Sequence, residues 1–166
     1  MSYLNDNIRS IIIELQTNLG KDIVFTGSVE DVAHTGHAVN PVGDLDIIVT
    51  RKQLKTALEL YDTVNGGPSW YNWFLEKEDK IRYITEIRKV KVEFFIYVDI
   101  NRKDKLYKYD AEGIEVYTRG KDFKYEAIQT MLKKGESIDL DWFLDKFSQI
   151  KKLYDNANTT YLDFSG

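Results

Sequence analysis

The sequence predicts an α/β (α+β) fold, a small mixed β-sheet with helices on one face, and three observations carry that prediction. Short apolar strands alternate with segments of helical periodicity in the first sixty residues. Two hairpin-like pairs then follow in the middle of the chain, and two helical segments finish it. A length of 166 residues suits one domain with a real core.

The elements follow in order. Leu4, Ile8, Ile11, Ile12, Leu15 and Leu19 fall on one helical face, and Gly20 stops that helix. Asp22 to Thr26 is a short apolar strand closed by Gly27-Ser28. Val29 to Gly43 carries Gly36, Pro41 and Gly43 and reads as a loop, with at most one helical turn at its start. Asp44 to Thr50 is the next strand. Thr50 and Gln53 form a capping box for a helix to Asp62, with Leu54, Ala57, Leu58 and Tyr61 as its apolar face, and Asn65-Gly66-Gly67-Pro68 ends the segment. Trp70, Trp73 and Phe74 sit at helical spacing and read as a core stripe. Lys80 to Ile87 and Val90 to Asp99 pair across Arg88-Lys89, a turn without the usual Gly or Asn. A second hairpin joins Lys105 to Tyr109 with Ile114 to Thr118. Helices are expected over Asp122 to Lys134 and Ile138 to Asp155, where Leu140, Phe143, Leu144, Phe147 and Ile150 repeat at helical spacing. Residues 1–155 read as one domain and 156–166 as a polar, peripheral tail.

Composition narrows the function. A net charge of -4 argues against broad non-specific nucleic-acid binding. Arg102, Lys103, Lys105 and Lys108 are a local basic run, most simply a solvated loop. With no cysteine, disulfide frameworks and thiolate metal sites are excluded. His34 and His37, the only histidines, lie in the predicted loop and lack a third zinc ligand, so they read as surface side chains or groups approaching a ligand. No basic stretch leads into a long apolar run at the N-terminus, and no apolar run could span a membrane, so a soluble cytoplasmic protein is expected. Gly20-Lys21 and Gly120-Lys121 lack the upstream glycine spacing of a P-loop.

The chemistry sits on three strands. Leu45, Ile47 and Val49 share one face of their strand, so Asp44 and Asp46 share the other, about 7 Å apart. Adjacent carboxylates repel unless a cation lies between them, and hard oxygen donors suit magnesium. Val92 and Phe94 flank Glu93, which therefore leaves the core face and can join the aspartates. Three such acids can serve a two-metal site. Taken alone, Glu93 reads as a strand residue paired with Lys91 or a cross-strand lysine, Asp44 and Asp46 as a solvated strand edge, and Gly27-Ser28 as a turn.

The ordered set FTGS, DLDII and KVEFF resembles the DNA polymerase beta-like nucleotidyltransferase superfamily over about the first hundred residues. The resemblance implies a nucleotidyltransferase-like fold in which Gly27 and Ser28 hold the β- and γ-phosphates of an NTP. It implies that Asp44 and Asp46 bind Mg2+ (or Mn2+) and that Glu93 completes the metal site and helps deprotonate the acceptor. A nucleoside monophosphate would pass to a hydroxyl of a small molecule, a protein or an RNA end, with pyrophosphate leaving. Many members place an arginine soon after the serine, whereas Glu30 and Asp31 stand there. That departure keeps a second expectation open, a catalytically inactive binding or antitoxin-type regulatory module. An Asp-x-Asp glycosyltransferase is disfavoured by the short chain.

Overall fold

The computed structural model describes residues 2–61, 72–73, 80–97 and 106–165. Helix α1 (Asp6–Leu19) is capped by Asn5, whose side chain accepts from the Ile8 N–H, and it buries Ile8, Ile11, Ile12 and Leu15. Strand β1 (Val24–Thr26) leads directly into α2 (Gly27–Thr35), which is followed by β2 (Asp44–Ile48) and α3 (Arg51–Tyr61). The remaining strands are β3 (Asn72–Trp73), β4 (Lys80–Ile87), β5 (Val90–Tyr97), β6 (Leu106–Ala111) and β7 (Ile114–Arg119). Helices α4 (Lys121–Ile138) and α5 (Asp141–Ser165) close the chain. The strands form one seven-stranded sheet in the order β3-β4-β5-β2-β1-β7-β6. It is mixed: β2 runs parallel to β5 and β1 to β7, and the other neighbours are antiparallel.

Alternation decides which way β2 faces. Leu45, Ile47 and Val49 are fully buried and join Phe25, Val92 and Phe94 in one apolar cluster with residues of α1 and α3. The predicted capping box is present at the start of α3: the Thr50 N–H donates to Gln53 Oε1 at 2.9 Å, and the Gln53 N–H donates to Thr50 Oγ1 at 3.2 Å. At the chain's end, α4 and α5 pack closely. A Cβ on Gly135 would lie 2.8 Å from Phe143 Cδ1 and 2.9 Å from Leu144 Cδ2, so glycine is what lets these helices approach.

Several expectations are corrected. The segment read as a loop from Val29 begins as the nine-residue helix α2, closed by Gly36 in the left-handed region. Val29, Val32 and Ala33 supply its buried apolar positions, a helical spacing masked by the polar residues between them. Trp73 is in an extended strand paired with Arg82, not on a helix; Trp70 and Phe74 lie outside the described residues, as do Asn65 to Pro68. In the basic run, Lys108 belongs to β6, with its Nζ 3.7 Å from Glu115 Oε1, and Arg102, Lys103 and Lys105 are outside the described residues. Helix α5 continues past Asp155 to Ser165, because nothing in 156–165 is glycine or proline to stop it.

The β4–β5 hairpin turns on two non-glycine residues with positive φ, Arg88 (45°) and Lys89 (68°). Helix α1 holds this turn: Arg88 Nη1 donates to Glu14 Oε1 at 2.9 Å, and Asn7 Nδ2 donates to the Arg88 carbonyl at 3.2 Å. Lys89→Gly removes the left-handed strain and should raise stability by about 0.5–1 kcal/mol, read as a higher urea midpoint with unchanged slope.

Candidate active site

Strand register brings the predicted acids together. In the parallel pair β2–β5, Asp44 stands opposite Lys91 and Asp46 opposite Glu93. Neighbouring strands lie about 4.8 Å apart, so Asp46 and Glu93 are side-by-side on the face away from the core. Asp44 is exposed, Asp46 is half-buried and Glu93 is only 5% exposed. A cation already sits among them. Lys91 Nζ lies 3.1 Å from Glu93 Oε1 and 4.0 Å from Asp44 Oδ2.

Gly27 and Ser28 open α2 directly after β1, and Gly27 lies against Asp46. In the antiparallel pair β1–β2, Thr26 stands opposite Asp46. Thr26 directs its hydroxyl at the Asp46 carbonyl, 3.5 Å away, and makes no side-chain capping bond to α2. Gly27 has φ +64°, and a Cβ there would lie 2.5 Å from Asp46 Oδ2. Only glycine satisfies both the turn and the close approach. The first N–H groups of α2 therefore begin beside the Asp46 carboxylate, at the positive end of the helix dipole.

Burial pushes the Asp46 carboxyl up to about 6, and the charges of Glu93 and then Asp44 push the same way against the pull of Lys91 and Lys124. The folded pKa is above the unfolded one, so the native state keeps this proton longer. Asp46 thus lowers the stability of the metal-free protein as pH rises from about 4 through about 6. A shift of two units corresponds to roughly 3 kcal/mol. Asp46→Asn should remove this loss, so its stability advantage over wild type should grow across that window and level off above it. Parallel urea titrations from pH 4 to pH 7 measure the difference, and a difference flat with pH is inconsistent with a raised Asp46 carboxyl.

The acids after Ser28 are buried among partners of their own. Glu30 is fully buried and accepts from Arg119 Nη2 at 2.9 Å and Nε at 3.2 Å, with Lys124 Nζ 3.3 Å away. Asp31 accepts from the Tyr154 hydroxyl at 2.9 Å and has Lys124 Nζ at 3.4 Å. Burial raises the Asp31 carboxyl despite those partners. His34 is a corrected expectation, since it lies in α2 and is buried rather than on a surface loop. Its Nδ1 is 2.8 Å from the Tyr154 hydroxyl, and its Nε2 is 2.8 Å from Thr118 Oγ1 and 2.9 Å from the Arg119 carbonyl. Burial lowers its pKa to about 4. His37 is exposed, 3.4 Å from the Tyr3 hydroxyl. Sequence reasoning missed this network altogether. The signal available was the Val29, Val32 and Ala33 spacing, which puts Glu30, Asp31 and His34 on a helix with Gly36 as its end.

Among the described residues, no group of three or more acidic or histidine side chains is arranged to hold a metal ion as it stands. The acidic side chains offer carboxylate oxygens only, the donor type that a hard divalent ion takes, and the charges of Glu93 and Asp44 add to burial in raising Asp46.

The arrangement of strands and helices recurs in a solved structure. ANT(2″)-Ia in complex with adenylyl-2″-tobramycin matches 93% of this chain over 97% of its own, with a TM-score of 0.54 and 8% identity. The fold is nucleotidyltransferase-like. An antigenic nucleotidyltransferase-like protein from Paracoccidioides brasiliensis covers 96% of this chain and 89% of its own, with a TM-score of 0.43 and 12% identity. No family model and no curated protein sequence matches the chain. Among the described residues, no helix is long and apolar enough to cross a membrane.

Proposed function

We propose that this chain is a metal-dependent nucleotidyltransferase that moves a nucleoside monophosphate from an NTP to a hydroxyl. One observation carries the reading: Asp46, paired across the strands with Glu93, stands against the first turn of α2, so an acidic pair adjoins a helix N-terminus. Gly27 and Ser28 hold the β- and γ-phosphates through backbone N–H groups and the serine hydroxyl. Asp44, Asp46 and Glu93 would hold Mg2+ or Mn2+, which supplies Lewis acidity at the α-phosphate and an acidified acceptor hydroxyl. Glu93 takes the acceptor's proton as the acceptor oxygen bonds to the α-phosphorus. The bond from that phosphorus to the bridging oxygen breaks in line, and pyrophosphate leaves with the electron pair.

Glu30 and Asp31 do not oppose this reading, because Arg119 and Lys124 offset their charge. A small-molecule hydroxyl is the acceptor we favour, given a fold shared with a structure that holds adenylyl-2″-tobramycin. The second reading, a binding or regulatory module without turnover, draws on Lys91 standing where a metal would be. Incubation with each α-labelled NTP, magnesium or manganese and a small-molecule extract distinguishes them. Label transferred to an acceptor with pyrophosphate release is the expected result. No pyrophosphate from any NTP, with full biological activity retained, identifies the regulatory module.

A further inference from the structure

We propose that Lys91 is a built-in counter-ion that holds the acidic site closed to free divalent cations and yields its place only when metal arrives with nucleotide. The inference rests on the metal-site reading above. Lys91 and Glu93 are two apart on β5 and so share a face, and the parallel register sets Lys91 beside Asp44. The ammonium thus reaches one carboxylate along its own strand and another across the sheet, at 3.1 Å and 4.0 Å. The two ends of this contact differ. The Glu93 side chain is 6% exposed, whereas the Lys91 side chain is 49% exposed on a flexible stem. The ammonium can therefore swing out without disturbing the core.

An ammonium and a divalent ion cannot share this space. Like charges at this separation repel, and a divalent ion roughly doubles the repulsion a single charge would feel. Free magnesium must therefore displace Lys91 from Glu93 and Asp44. Magnesium carried on a triphosphate brings new anionic oxygens near the start of α2, and the displaced ammonium can pair with them. The lysine thereby favours the loaded nucleotide over the bare ion.

Mn2+ binding measured calorimetrically on the full chain tests this, with and without each of ATP, GTP, CTP and UTP. Lys91→Met should bind Mn2+ alone at least tenfold more tightly than wild type, and the gap should shrink once the preferred NTP is present. Lys91→Gln serves as a second neutral variant, and Lys91→Arg, which keeps the charge, should stay near wild type. Equal Mn2+ affinity in wild type and both neutral variants overturns the counter-ion role while leaving the metal site standing. A charge-independent gain, with Lys91→Arg binding as tightly as Lys91→Met, also overturns it. Failure of every protein to bind Mn2+ in any condition overturns the counter-ion role and the metal-site reading together.

Discussion

Asp46→Asn should lower nucleotide transfer by at least two orders of magnitude and leave the fold intact. Asparagine keeps the shape but carries no charge, and the carboxylate it replaces is the one nearest both Glu93 and the first turn of α2. Charge stabilisation at a transferring phosphoryl group is commonly worth 10²–10³ in rate, roughly 3–4 kcal/mol. The fold should survive because Asp46 lies off the core face, and above pH 6 the metal-free variant should even be the more stable protein. Ser28→Ala should be milder and act chiefly on the KM for NTP, since the backbone N–H groups of the turn remain. Ile47→Asp is the contrasting control. Ile47 is fully buried in the main cluster, and an unpaired carboxylate there should prevent folding. Steady-state kinetics with circular dichroism on the three variants reads all of this. Tolerated Ile47→Asp together with unfolded Asp46→Asn would mean that the strand faces were exchanged.

Much of this site was legible because its information is local. A period of two places Asp44 and Asp46 opposite Leu45 and Ile47 whatever the partner strand, and the same rule separates Glu93 from Val92 and Phe94. The Thr50–Gln53 box is likewise local, since its two hydrogen bonds join residues three apart. What sequence could not give was long-range compensation. Glu30, Asp31 and His34 look like solvated loop residues because their partners, Arg119, Lys124 and Tyr154, come from the far end of the chain. A polar face on a short segment argues against burial until those partners are known. The left-handed Arg88-Lys89 turn is similar, as its hold on α1 lies outside the hairpin. Lys91 was visible as one possible partner of Glu93, but that it also approaches Asp44 depends on the parallel register of β2 and β5.

Glu30→Gln should destabilise the protein by about 3–5 kcal/mol, the usual cost of removing one member of a buried ionic group. Glu30 has no exposure and offsets two cations, Arg119 through a two-pronged contact and Lys124 through a single one. With glutamine in its place, Lys124 keeps Asp31 at 3.4 Å, and Asp31 already resists ionisation because it is buried. Arg119→Ala should cost less, since Lys124 still faces Glu30 and Arg119 is partly exposed. The double variant should then be more stable than the sum of the single losses predicts, by at least 1 kcal/mol, because the charge left unpaired by one change is removed by the other. The damage should extend to nucleotide binding. This network joins α2 to β7, α4 and α5, and α2 carries Gly27 and Ser28 at its start. Urea unfolding of the four proteins supplies the cycle, and NTP affinity of the folded variants supplies the link. Glu30→Gln with a wild-type urea midpoint would show that the ionic network contributes nothing to holding the closing helices against α2.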